Sequence, residues 1–223
     1  MSATGGQPAT FAGMADFLAA SKTATQQILA PGEPSDTRKL LLCLGNEAAD
    51  IDSIVSALVL AVACQHGALD HAIPGLSREY VAVPVLGIPA EDFALRQDAV
   101  YLLDQLSLSG DMLVYLPSLE TEQLARLQSD ARLALALTDH NKLTRGLAHM
   151  APAVVAVVDH HEDTSVFSSV PYYKVMQQRG GFQCICVRAG PCSQSGSGCV
   201  RNDAWTLAGD SKGANSWIGS CRC

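Results

Sequence analysis

Aromatic residues are scarce, basic residues are few, and no apolar run is long enough to cross a bilayer. Phe, Trp and Tyr make up 5% of the 223 residues, against 48% hydrophobic residues in all. A core is within reach, but it must be built from Ala, Leu, Val and Ile. That suits helices on a parallel sheet better than an aromatic-rich β-sandwich. The lack of a long apolar run argues against a membrane helix. The N-terminus has neither a basic start nor a continuous apolar stretch. It carries Asp16 and no arginine before Arg38, so no secretory or mitochondrial leader is expected and the cytoplasm is the expected compartment.

Basic residues are scarcest where the chain is most regular. Up to Ser165 there are 9 Lys and Arg against 20 Asp and Glu; from Val166 onward there are 6 against 2. An acidic body argues against nucleic-acid binding, which rests on neutralising phosphates, and fits a protein that gathers cations. Cysteine use divides the chain at a similar place. Cys43 and Cys64 sit in apolar runs and read as small buried hydrophobes. Cys184, Cys186, Cys192, Cys199, Cys221 and Cys223 follow irregular spacings that match no common zinc site, and no designed metal or disulfide site is expected there.

Three regions follow: 1–36, 37–165 and 166–223. The first is an amphipathic helix from about Phe11 to Leu29, with Met14, Phe17 and Leu18 at helical spacing, closed by a turn at Pro31 to Pro34. In the second, strands are expected at Lys39–Leu44, Tyr80–Leu86, Met112–Leu116, Leu133–Thr138 and Val154–Val158. Helices are expected at Ser53–Gln65, Glu91–Leu106 and Leu119–Gln128, the second burying Phe93, Leu95, Val100, Leu102 and Leu103. This rhythm predicts a doubly wound α/β domain with a mostly parallel sheet, incomplete at its C-terminal side. The third region loses the rhythm. Its Gly, Ser and Cys content reads as an irregular or disordered tail with one short strand near Phe182 to Val187, and the break has the character of a foreign reading frame.

Chemistry concentrates where apolar runs end. Leu40–Leu44 leads into Gly45-Asn46-Glu47-Ala48-Ala49-Asp50-Ile51-Asp52-Ser53, Leu133–Leu137 into Thr138-Asp139-His140-Asn141, and Val154–Val158 into Asp159-His160-His161-Glu162-Asp163. Parallel strands deliver their carboxyl ends to one crevice, so carboxylates and imidazoles from three strands can meet around cations. Helix capping explains any one of these acids, Asp52 or Ser53 most readily. Capping has no reason to place histidine after aspartate twice, and the joint pattern favours a metal site.

In these three segments the chain resembles the DHH phosphoesterases, and within them the branch of exopolyphosphatases and prune-like proteins. Gly45 to Ala57 is similar to the first motif of that branch, with Asn46 where related pyrophosphatases have a histidine ligand. Asp139 matches the bridging aspartate of the second motif, and Asp159-His160-His161 the motif that names the family. The resemblance implies a Rossmann-like domain that hydrolyses phosphoanhydrides with hydroxide generated between two metal ions. It implies Asp50 and Asp139 at one metal, Asp52, Asp139 and His160 at the other, and His161, Asn46 and His140 toward the substrate. It implies Asp139 and His161 as catalytic, with Asp159 orienting His160 or its loop. Mixed carboxylate and imidazole ligation favours Mn²⁺, with Mg²⁺ or Co²⁺ as alternatives. The implied substrate is inorganic polyphosphate or another small phosphoanhydride. A pyrophosphatase or phosphodiesterase of the same superfamily, or a catalytically dead metal-binding fragment, are the alternatives. The resemblance stops at about Ser165. The family's later strand-end aspartate and its basic substrate domain have no counterpart here, and neither Asp203 nor Asp210 follows an apolar strand.

Overall fold

A computed structural model of the chain describes residues 13–30 and 37–179, and the backbone of three further strands at 182–189, 206–209 and 215–218. Phe11, the turn at Pro31 to Pro34 and the tail cysteines at 192, 199, 221 and 223 lie outside the described residues.

Helix α1 (Met14–Leu29) precedes β1 (Lys39–Leu44), α2 (Ile51–Gln65), the one-turn α3 (Leu76–Glu79) and β2 (Tyr80–Leu86). Then come α4 (Gln97–Gln105), β3 (Val114–Tyr115), α5 (Thr121–Ser129), β4 (Leu133–Thr138) and β5 (Val154–Asp159), followed by β6 (Tyr172–Arg179) and β7 (Phe182–Ala189). The sheet has the order β3-β2-β1-β4-β5-β6-β7. All pairings are parallel except the last, between β6 and β7. Two short strands, β8 (Thr206–Gly209) and β9 (Asn215–Ile218), pair antiparallel with each other.

The order runs outward from β1 in one direction and from β4 in the other. A crevice therefore opens between the carboxyl ends of β1 and β4, which is where ligands bind in open sheets of this kind. Both faces of the sheet are covered, as a parallel sheet requires. The alternation Leu133-Ala134-Leu135-Ala136-Leu137 in β4 makes the two faces unequal. Ala134 and Ala136, with Ala82 and Ala156, join Leu41 and Cys43 against Phe17, Ile54, Leu58 and Ala61 of α1 and α2. The leucines join Leu40, Leu42, Leu44, Val83 and Val85 against Leu124 and Leu127 of α5 and Met150. Among the described residues no helix is long and apolar enough to cross a membrane.

Several elements differ from the sequence expectation. The helix expected over Glu91–Leu106 is a 3₁₀ segment, Ala90–Leu95, followed by α4. Phe93 and Leu103 are buried, but Leu95 is 72% exposed and Val100 38%. Arg96 joins the two pieces with non-helical backbone, φ −90° and ψ 65°, so the apolar spacing does not carry through. Strand β3 is shorter than expected because 3₁₀ turns at Gly110–Met112 and Leu116–Ser118 flank it. The sheet also continues beyond Ser165. β6 pairs with β5 in parallel and buries Tyr173 and Val175, while the strand expected near Phe182 spans Phe182–Ala189.

Candidate metal centre

The turn after β1 is shaped by close contacts. A Cβ on Gly45 would collide with the side chain of Ser53, so only glycine lets the chain pass there. Ser53 Oγ accepts the Asn46 N–H at 2.6 Å. The Asn46 side-chain oxygen accepts the N–H groups of Ala48 and Ala49, both at 2.9 Å. Asp50 is the N-cap of α2, its Oδ1 accepting the Ser53 N–H at 3.3 Å. The cap is thus Asp50 rather than Asp52 or Ser53. Asp52 lies in the first turn of α2, where a carboxylate also suits the helix dipole.

At the end of β4, Asp139 takes a left-handed backbone conformation, φ 62°, while its N–H still donates to Val158 O at 3.0 Å. Aspartate tolerates this region better than most residues, and strained conformations of this type gather at functional sites. The turn sets the carboxyl over the crevice with only 5% of its side chain exposed.

Five side chains predicted as ligands or substrate contacts come together there. Oxygens of Asp50, Asp52 and Asp139 lie within 4.8 Å of one another, and so do donor atoms of Asp139, His160 and His161. His160 Nε2 stands 3.0 Å from Asp139 Oδ1 and 3.9 Å from Asp52 Oδ2. Burial, and then the charges of Asp52 and Asp50, push the Asp139 carboxyl above its ordinary range, while His161 and His160 pull against them. Three crowded carboxylates with two imidazoles make a donor set that suits hard to borderline divalent cations. The residues present therefore fit a divalent-cation site, with Asp139 common to both groups of donors.

Asn46 has another part. Its oxygen is taken by backbone N–H groups, so its amide nitrogen is the free donor, 2.7 Å from Asp139 Oδ2 and 3.3 Å from Asp50 Oδ1. A donor group aimed at carboxylates orients them and does not ligate a cation. His140 lies apart from the carboxylate cluster. Its Nδ1 is 2.9 Å from Thr138 O, and burial lowers its pKa. It lines a cavity of about 420 Å³ with Glu47, Gly87, Leu116, Leu147 and Met150.

Asp159 holds the loop of its motif, as expected, and orients the ring of the second histidine rather than that of the first. Its Oδ1 accepts His161 Nδ1 at 2.7 Å and the N–H groups of His160 and His161 at 2.8 and 3.2 Å. Burial pushes this carboxyl up, but these hydrogen bonds and one from Asn141 outweigh it and hold the carboxyl low. The same bond from His161 to Asp159 raises the His161 pKa, against a smaller effect of burial. Sequence reasoning assigned no role to Asn141, Thr164, Asp163 or Tyr173, which brace this loop. Tyr173 OH donates to Asp163 Oδ1, which also accepts the Ser165 N–H at 2.6 Å. No local pattern marks that bond, because Tyr173 belongs to β6.

No protein-family model matches the chain. Among curated proteins it is similar to exopolyphosphatase PRUNE1 of Rattus norvegicus, 31% identical over 147 residues, which is 66% of this chain and 28% of the relative. Exopolyphosphatase PRUNE1 of Homo sapiens is 32% identical over the same shares. A putative exopolyphosphatase of Schizosaccharomyces pombe is 32% identical over 120 residues, 53% of this chain and 28% of the relative. The chain thus spans little more than a quarter of the length of these relatives, and over that span it is similar to proteins named exopolyphosphatases.

Proposed function

We propose that the chain carries the metal-binding half of a DHH-type phosphoesterase site, and that its reaction is metal-dependent hydrolysis of phosphoanhydride bonds, with terminal phosphate released from inorganic polyphosphate. One observation carries this reading: Asp50, Asp52, Asp139, His160 and His161, from three different strand ends, converge at the switch point of the sheet. The relatives' names supply the substrate class.

Asp50 and Asp139 would hold one cation, and Asp52, Asp139 and His160 the other. Mn²⁺ suits this set best, with Mg²⁺ or Co²⁺ as alternatives. Such a pair of cations polarises phosphoryl oxygens and makes water nucleophilic at neutral pH. The chain's own groups do the positioning. Asn46 holds Asp139 Oδ2 and Asp50 Oδ1 toward each other, against their mutual repulsion. Asp159 takes the Nδ1 hydrogen of His161, which leaves Nε2 to donate to a phosphate oxygen. The raised pKa of His161 keeps that second hydrogen in place at higher pH than an ordinary imidazole would. Asp139, nearly closed off from solvent, is where charge is most costly without a cation.

Phosphate release with Mn²⁺ from long-chain polyphosphate, tripolyphosphate and pyrophosphate, measured in parallel, tests the reading. Release from polyphosphate that is abolished by Asp139→Ala is the expected result. Release from pyrophosphate alone favours the pyrophosphatase alternative. No release from any of them, alongside measurable Mn²⁺ binding, defeats the catalytic reading.

A further inference from the structure

Asn141 is 3% exposed, and every hydrogen-bonding position of its side chain is used. Its amide nitrogen donates to Asp159 Oδ2 and, at 2.9 Å, to Glu162 O. Its side-chain oxygen accepts the Thr164 N–H at 3.1 Å and the Thr164 hydroxyl, which also reaches Asn141 O at 3.1 Å. Asp159 is fully buried, and its other oxygen is spent on His160 N–H, His161 N–H and His161 Nδ1. Among the described residues the only side-chain donor to Asp159 Oδ2 is Asn141, two residues beyond Asp139 on a different strand end.

We infer that Asn141 is a positioning residue that acts through Asp159 to set the ring of His161. A carboxylate is free to rotate about its Cβ–Cγ bond. With Oδ2 tied to Asn141, that rotation is stopped and Oδ1 is presented at one angle to the His161 ring. The histidine donates from Nδ1 because an ionised Asp159 only accepts, so the relay fixes the ring face and the tautomer together. A simple staple between two loops needs only the Glu162 and Thr164 bonds. The bond to Asp159 adds a direct link to the histidine. The part of this inference that concerns catalysis rests on the role proposed for His161; the part that concerns its orientation does not.

The metal-free chain, labelled with ¹⁵N, gives the first test. A slowly exchanging His161 Nδ1–H resonance, assigned by its absence in His161→Gln, is expected in the wild type and lost in Asn141→Ala. Thr164→Val serves if Asn141→Ala does not fold; it removes only the hydroxyl that holds the Asn141 oxygen and should broaden or shift the same resonance. An unchanged resonance in either folded variant overturns the relay. The second test is kinetic. Asn141→Ala should lower kcat/KM for polyphosphate by about 10–100-fold, the usual effect of losing such an outer partner, and should add nothing to His161→Gln. Losses that multiply overturn the route through His161. If the wild type releases no phosphate at all, the proposed hydrolase fails, and the resonance alone decides the relay.

Discussion

Replacing Asp139 by Asn separates the electrostatics of the site from its architecture. Asparagine keeps the shape of the side chain and tolerates the left-handed backbone at φ 62°. Its oxygen can still accept from Asn46 and its amide still faces His160, the two contacts that Asp139 makes at 2.7 and 3.0 Å. What disappears is a buried charge facing Asp52 and Asp50. A carboxyl whose folded pKa is raised costs stability above its unfolded pKa, and the cost is relieved as pH falls through the folded value. Without metal, Asp139→Asn should therefore be at least as stable as the wild type at pH 7–8, and the difference should fade on acidification into the carboxylate range. With metal the order reverses. At a free Mn²⁺ concentration of about 100 Kd the wild type gains about 2.7 kcal/mol, which raises Tm by roughly 5–11 °C for a chain of this size. The variant should show almost none of that rise. Thermal melts followed by circular dichroism, with chelator or with Mn²⁺, read both halves. A wild-type-sized Mn²⁺ shift in the variant, or a metal-free variant several degrees less stable at pH 7–8, would refute the reasoning.

Other expectations follow from the packing. Leu135→Ala removes a fully buried side chain from the leucine face and should cost about 2–5 kcal/mol in urea unfolding. Gly45→Ala must displace Ser53, with about 1–3 kcal/mol lost and Mn²⁺ affinity lowered, because Ser53 sits under Asn46 and Asp50; calorimetric titration reads the affinity. Tyr173→Phe removes one hydrogen bond to Asp163 and should cost about 0.5–1.5 kcal/mol, with faster backbone exchange at His160 to Ser165 as its local sign.

The strands and the acidic ends were legible because they are local. Leu133–Thr138 alternates Leu with Ala as far as Leu137, and its bounds match the expectation. Asp50, Asp52, Asp139 and His160 could be grouped because three strands of one parallel sheet share a rim, a rule that needs no side-chain detail. The split at Arg96 was not legible, since the apolar spacing of Phe93, Leu95, Val100 and Leu103 fits one helix as well as two pieces. The parts of Asn46 and Asp159 were hidden for another reason. Which oxygen is already taken depends on backbone turns, and those turns close only in three dimensions.

The small methyls beneath α2 have a bearing on the carboxylate cluster. Ala82, Ala134, Ala136 and Ala156 set the height at which that helix rides on the sheet, and its N-cap and first turn carry Asp50 and Asp52. Asp139, by contrast, is fixed to the sheet itself. The gap across which the two groups of carboxylates face each other is therefore governed from below, by side-chain volume in the interior. A valine in place of one of these alanines would act as a shim, widening the jaws of the site without touching any residue in it.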